Sequence, residues 1–135
     1  MRRPGLSLGA VLFVGGAVAM LPLLALFRRS WRWRVAVEGH SMEPTLSAGD
    51  WLLVDPLPYG ARTPQAGELI VARDPRKLDH WLVKRVAAVE RDGLLRLTGD
   101  HPGHGPEDVA PIAPKLIVGR PWLRYWPPRR AGRLA

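Results

Sequence analysis

Glu38 to Pro56 reads EGHSMEPTLSAGDWLLVDP. A turn-rich segment, marked by Gly39, Pro44, Gly49 and Asp50, runs directly into the apolar stretch Trp51-Leu-Leu-Val54. Proline, glycine and aspartate punctuate turns, and a short apolar run bounded by them is the signature of a buried strand. Ser41 lies inside the turn, between a histidine and a methionine. No Gly-x-Ser-x-Gly motif surrounds it, so the strained strand-to-helix elbow of many hydrolases is not available. A nucleophilic Ser41 must therefore take its base from elsewhere in the chain.

Outward from this stretch the same pattern repeats. Strand-like runs occur at Arg34–Val37, Trp51–Val54, Glu68–Ala72, Trp81–Val89, Leu94–Leu97 and Leu116–Val118, separated by Gly, Pro and Asp. Several short strands between turn signals predict a mainly β domain, an antiparallel sheet or barrel-like arrangement. Arg91-Asp92-Gly93 between two such runs predicts a hairpin. The segment Gly99–Pro114 is a long polar loop rich in proline, of a length that often carries function. No internal repeat is present, and 135 residues suffice for one such domain.

The N-terminal end differs. Leu6 to Phe27 carries no charge, and its 22 residues would span about 33 Å as a helix, against a hydrocarbon core of about 30 Å. Arg2, Arg3 and the small-residue triplet Ala17-Val18-Ala19 also suit a secretory signal, but the apolar run continues eight residues further than such a signal needs. The expectation is a retained single transmembrane helix, residues 1–30 forming the anchor and residues 31–135 the β domain. Trp31 and Trp33, interleaved with Arg28, Arg29, Arg32 and Arg34, suit a membrane–water interface.

The formal charge is +8, and apart from Lys77, Lys84 and Lys115 every basic residue is arginine. The arginine clusters flank apolar or aromatic segments, which points to an anionic lipid surface and away from nucleic acid. Without cysteine, disulfides, thiolate chemistry and Cys-based zinc sites are excluded. His101 and His104 without a third ligand make no metal site, and no cofactor is expected.

Candidate bases for Ser41 are His40, His80, His101, His104 and Lys84. His40 is adjacent to the serine and points away from it on extended backbone. Lys84 interrupts the apolar run Trp81–Val89. Desolvating an ammonium is expensive and lowers a lysine pKa from about 10.4, which lets the neutral amine take a proton from a serine hydroxyl. A lysine at a strand edge can equally snorkel to solvent. Alternation sends Lys84 and Arg85 to opposite faces.

A resemblance favours the first alternative. GHSMEPTLSAGDWLLVD resembles the nucleophile box of type I signal peptidases, the S26 serine proteases. GELIVAR looks like the strand that follows it, LVKRVAAVE like the box carrying the general-base lysine, LTGDHPGHGPED like the Gly-Asp-Asn box, and IVGRPWLRYWP like the closing stretch. The matches keep the family's order over most of Val35–Pro127, with Lys84 43 residues after Ser41.

The resemblance implies a Ser–Lys dyad of Ser41 and Lys84. The Ser41 N–H would donate to the oxyanion, and Met42 would wall an apolar S1 pocket. Pro44 and Thr45 would fix the turn, while Asp100 and Arg85 would be structural. Gly39 stands where some members place a second oxyanion donor. In the last box His101 replaces asparagine. With Asp108 as the matched aspartate, Pro106 and Ala110 replace a serine and an arginine. Thr98 or a water would then orient Lys84, and Asp108 would pair with Arg85.

The implied function is removal of N-terminal signal or leader peptides from precursor proteins at a bilayer, with small side chains preferred at P1 and P3. The chain's size also resembles the small S26 relatives that mature nickel-type superoxide dismutase by trimming its leader. The secretory role puts the β domain outside the cytoplasmic membrane; the arginine count, Arg2 and Arg3 against Arg28, Arg29, Arg32 and Arg34, puts it on the cytoplasmic side. A non-catalytic, membrane-anchored peptide-binding β domain is the alternative of another class.

Overall fold

The computed structural model describes residues 20–56, 58–103 and 110–134. Helix α1 occupies 20–30 within that range. The strands are β1 (Arg34–Ala36), β2 (Trp51–Asp55), β3 (Leu69–Asp74), β4 (Lys77–Val89), β5 (Leu95–Thr98), β6 (Ile117–Trp126) and β7 (Gly132–Arg133). A one-turn helix, α2 (Pro58–Ala61), follows β2, and 3₁₀ turns at Pro114–Leu116 and Pro128–Arg130 flank β6. The mainly β, antiparallel expectation is met, with pairing order β1-β2-β6-β3-β4-β5 and β7 added to β6. The predicted hairpin at Arg91–Gly93 joins β4 to β5.

β3 explains why GELIVAR reads as a continuous apolar run. Leu69 and Val71 belong to one core cluster, with Val35, Met42, Leu46 and Leu52. Ile70 and Ala72 belong to a second, with Val86, Leu95, Leu97 and Ile112. A strand covered on both faces loses the alternating pattern of a half-exposed one.

β6 runs far beyond the Val118 at which the sequence suggested it ends. Its first part pairs with β3 (Gly119 opposite Val71), and from Arg120 it pairs with β2 (Pro121 opposite Val54, Trp126 opposite Trp51). Gly119-Arg120-Pro121 reads as a break, but here it is the point where one strand changes partners. Proline has no N–H for a ladder, so it suits such an irregular position. Glycine is required by space: a Cβ on Gly119 would lie 2.3 Å from the Asp55 carbonyl oxygen.

The ends of the sheet path, β1 and β5, do not pair among the described strands. Closure is made by side chains instead of a hydrogen-bonded barrel. Trp33 stacks on Trp81 of β4, centroids 6.0 Å apart and rings inclined by 19°. The curl brings the end of β1 to β4, although β2, β6 and β3 lie between them in the sheet.

Among the described residues no helix is long and apolar enough to cross a membrane. Most of the predicted span Leu6–Phe27 lies outside those residues. Within α1, Met20, Leu21 and Leu24 are exposed. The helix is fastened to the sheet at its end: Arg29 makes a bidentate pair with Asp55 (2.9 and 2.7 Å), and Ser30 Oγ accepts the Trp122 indole N–H at 2.9 Å.

Gly119→Ala should destabilise the domain by about 3 kcal/mol, because the new methyl meets backbone and not a movable side chain. Gly132→Ala, where a Cβ meets nothing within 4 Å, serves as control and should stay within about 0.5 kcal/mol. Denaturant unfolding reads both; equal stability of the two variants would refute the close approach.

Candidate active site

Ser41 opens the turn 41–45, and three backbone hydrogen bonds shape its surroundings. The Leu46 N–H donates to Met42 O (2.9 Å), the Glu43 N–H to His40 O (3.2 Å), and the His101 N–H to Ser41 O (2.9 Å). The last bond docks the Gly-Asp-His segment after β5 onto the serine's own backbone. Gly39, two residues ahead, has φ +72° with open space around it. Glycine stands there for its left-handed backbone, which any side chain would strain. Pro44 enters the turn through a cis bond, and Met42 is buried behind it.

Lys84 lies in β4, opposite Ile70 and two residues before the buried Val86, and is itself only 8% exposed. β5 pairs with β4 only from Arg85 onward, so His80–Lys84 have β3 on one side and a cleft on the other. That cleft, of about 160 Å³, is lined by Ser41, Met42 and Lys84, with Val37 and Glu38 beyond β1 and Trp81 of β4. Ser41 and Lys84 therefore line the same cleft. Of the other candidate bases, His80 also borders the cleft but is exposed. His40 bonds Glu43 at 2.7 Å, and the His101 Nδ1 accepts the Gly103 N–H at 3.0 Å. His104 lies outside the described residues.

Alternation sends Arg85 the other way, onto Asp100. The pair is bidentate, Nε to Oδ1 at 2.8 Å and Nη2 to Oδ2 at 2.7 Å. Arg85 Nη1 also donates to Gly67 O at 2.7 Å, and Thr45 Oγ1 donates to Asp100 Oδ2 at 2.7 Å. Asp100 thus joins the lysine-bearing strand to the serine-bearing turn. The expected partner of Arg85 was Asp108. Asp108 lies outside the described residues; among those, the partner is Asp100, two residues past the end of β5 on the strand that pairs with Arg85. Thr98, the suggested substitute for the missing serine, donates its hydroxyl to Gly99 O at 3.1 Å.

The sequence did not reveal Trp33 as the ring stacked on Trp81, itself a cleft-lining residue, nor Arg124 and Arg130 as partners of Asp50. Tryptophans in an aromatic, arginine-rich segment carry no mark of which ring turns inward. Among the described residues, no three His, Asp or Glu side chains gather as a metal-binding group.

The Arg85 guanidinium holds the Asp100 carboxyl below the ordinary aspartate range, with the Thr45 hydroxyl adding to the effect and burial opposing it. A depressed value stabilises the fold above the unfolded aspartate pKa, about 3.9, and is lost as pH falls through the folded value. Asp100→Asn should cost about 2 kcal/mol at pH 7, and its deficit against wild type should shrink steadily below pH 4. Urea unfolding across that range checks it; a deficit independent of pH would contradict the pair.

The sequence profile of the family "Signal peptidase, peptidase S26" matches residues 8–94. The chain is 27% identical to mitochondrial inner membrane protease subunit 2 of Danio rerio, over 90% of this chain and 79% of that protein. It is 31% identical to subunit 1 of Xenopus tropicalis, over 74% and 72% respectively. Signal peptidase I of Aquifex aeolicus is 44% identical over a shorter segment, 36% of this chain and 19% of that protein. No solved structure matches.

Proposed function

The chain belongs to the S26 signal peptidase family, and on that basis we propose that it is a Ser–Lys endopeptidase that removes N-terminal signal or leader peptides from precursor proteins. The single observation that carries the dyad is the shared cleft, which Ser41 and the buried Lys84 both line. His80, the competing base, borders the same cleft but is exposed.

The substrate enters extended along His80–Lys84, adding a strand to the free side of β4 opposite Val37 and Glu38. Met42, Val37 and Trp81 line this cleft of about 160 Å³, and a preference for small side chains at P1 and P3 is part of the proposal. The neutral Lys84 amine takes the Ser41 hydroxyl proton as Oγ attacks the scissile carbonyl. The Ser41 N–H donates to the developing oxyanion. The lysine's proton passes to the leaving amine, and water then hydrolyses the acyl-enzyme by the same base.

Membrane anchoring by Leu6–Phe27 is part of the proposal. Its support is the uncharged run itself and the exposed Met20, Leu21 and Leu24 on α1, apolar side chains that a bilayer would cover.

Detergent-solubilised protein should cleave a preprotein carrying an Ala-x-Ala site. Ser41→Ala and Lys84→Ala should each lose at least about 10³-fold in kcat, while His80→Ala stays within about threefold. Cleavage surviving Lys84→Ala would remove the lysine from the mechanism, and a wild type that binds peptide without cutting it would support the non-catalytic alternative. A leader-bearing nickel-type superoxide dismutase precursor in parallel separates a dedicated protease from a general one. In wild type, kcat/KM should rise with pH along a single ionisation and level off below pH 10; a profile flat from pH 6 to 10 argues against a lysine base.

A further inference from the structure

Asp50 is a buried charge that the proposed chemistry does not use. Its side chain is fully enclosed. A carboxylate removed from water is tolerated only when paired and hydrogen-bonded. Asp50 accepts the Ser47 N–H (3.0 Å), Arg124 Nη1 (3.0 Å) and Arg130 Nη2 (2.5 Å). Both arginines come from the far end of the chain: Arg124 from β6, Arg130 from the 3₁₀ turn Pro128–Arg130.

These contacts converge on the segment that presents Ser41. Residues 37–50 form a loop closed at its base, where the Val37 N–H donates to Asp50 O (2.8 Å) and the Gly49 N–H to Val37 O (2.9 Å). Arg124 Nη1 also reaches Thr45 O (3.2 Å), and its Nε donates to Arg130 O (2.6 Å), so the two arginines act as one unit. Thr45 is where two restraints meet. Its hydroxyl is held by Asp100 and so by β4, and its carbonyl is held by Arg124 and so by β6.

We propose that Arg124 and Arg130 are positioning residues: by holding Asp50 and Thr45 they fix the serine turn against the lysine strand from the side opposite Arg85 and Asp100. The inference rests on the Ser–Lys reading of the cleft. A turn restrained from one side only would let the hydroxyl drift from the base, and misplacement by about 1 Å can cost about a hundredfold in rate. Binding along the edge of β4 does not involve the turn's far side, so the loss belongs in kcat and not in KM.

The test uses the full chain in detergent with an Ala-x-Ala peptide and three proteins: wild type, Arg130→Ala and Arg130→Lys. The expected result is an Arg130→Ala kcat lowered about tenfold with KM within about twofold of wild type, and partial recovery of kcat in Arg130→Lys, which keeps a charge within reach of Asp50. Thermal unfolding of each variant accompanies the kinetics. An active wild type with unchanged kcat in Arg130→Ala overturns the clamp, as does a loss carried by KM alone. Should Arg130→Ala not fold, the Lys variant decides: intermediate kcat with wild-type KM supports the clamp, and wild-type kcat overturns it. A wild type that cleaves no peptide overturns the Ser–Lys reading and the clamp with it.

Discussion

The fold depends on one strand serving two neighbours. β6 pairs with β3 and then with β2, and the change of partner is possible because Gly119 lets the chain pass against the Asp55 carbonyl. From this follows the curl of the sheet, and from the curl the approach of β1 to β4. Neither sheet half contains the cleft alone. Its walls come from Val37 and Met42 on one side and Trp81 and Lys84 on the other, residues about forty positions apart in sequence. Side-chain stacking of Trp33 on Trp81 then does what a further row of backbone hydrogen bonds would do in a closed barrel.

Two adjacent basic residues meet opposite fates at this cleft. Arg85 spends its planar fork on Asp100 and Gly67, a use that suits a guanidinium that stays charged. Lys84, one position earlier, is turned by alternation toward the serine side in an enclosed environment. The Lys-Arg dipeptide therefore sends one side chain into the cleft that Ser41 lines and the other to fasten β4 to Asp100, on the two faces of one strand.

Much of this was legible in the sequence, for reasons that differ by residue. The strands β1 to β5 announce themselves because turns rich in Gly, Pro and Asp separate compact apolar runs. Ser41 and Lys84 stand out because each is chemically unusual in its setting. β6 was cut short because Pro121 and Gly119 signal a break, and only the tertiary approach of Asp55 reveals why they are there. The pairing of Arg85 with Asp100 depends on the register of β4 with β5, which places Arg85 opposite Thr98, and register is a property of the assembled sheet. The arginine partners of Asp50 are 74 and 80 residues away from it, and no local pattern encodes that distance.

The joint between α1 and the sheet has a mechanical consequence. Arg29 grips Asp55 through two bonds, and Ser30 receives the indole of Trp122, so the last turn of the helix is locked to β2 and to β6 at once. A hinge needs at least one free torsion between the bodies it joins, and here consecutive residues are both committed. Helix and sheet are consequently joined without a loose linker between them. The orientation of the helix axis therefore sets the direction in which the mouth of the cleft faces.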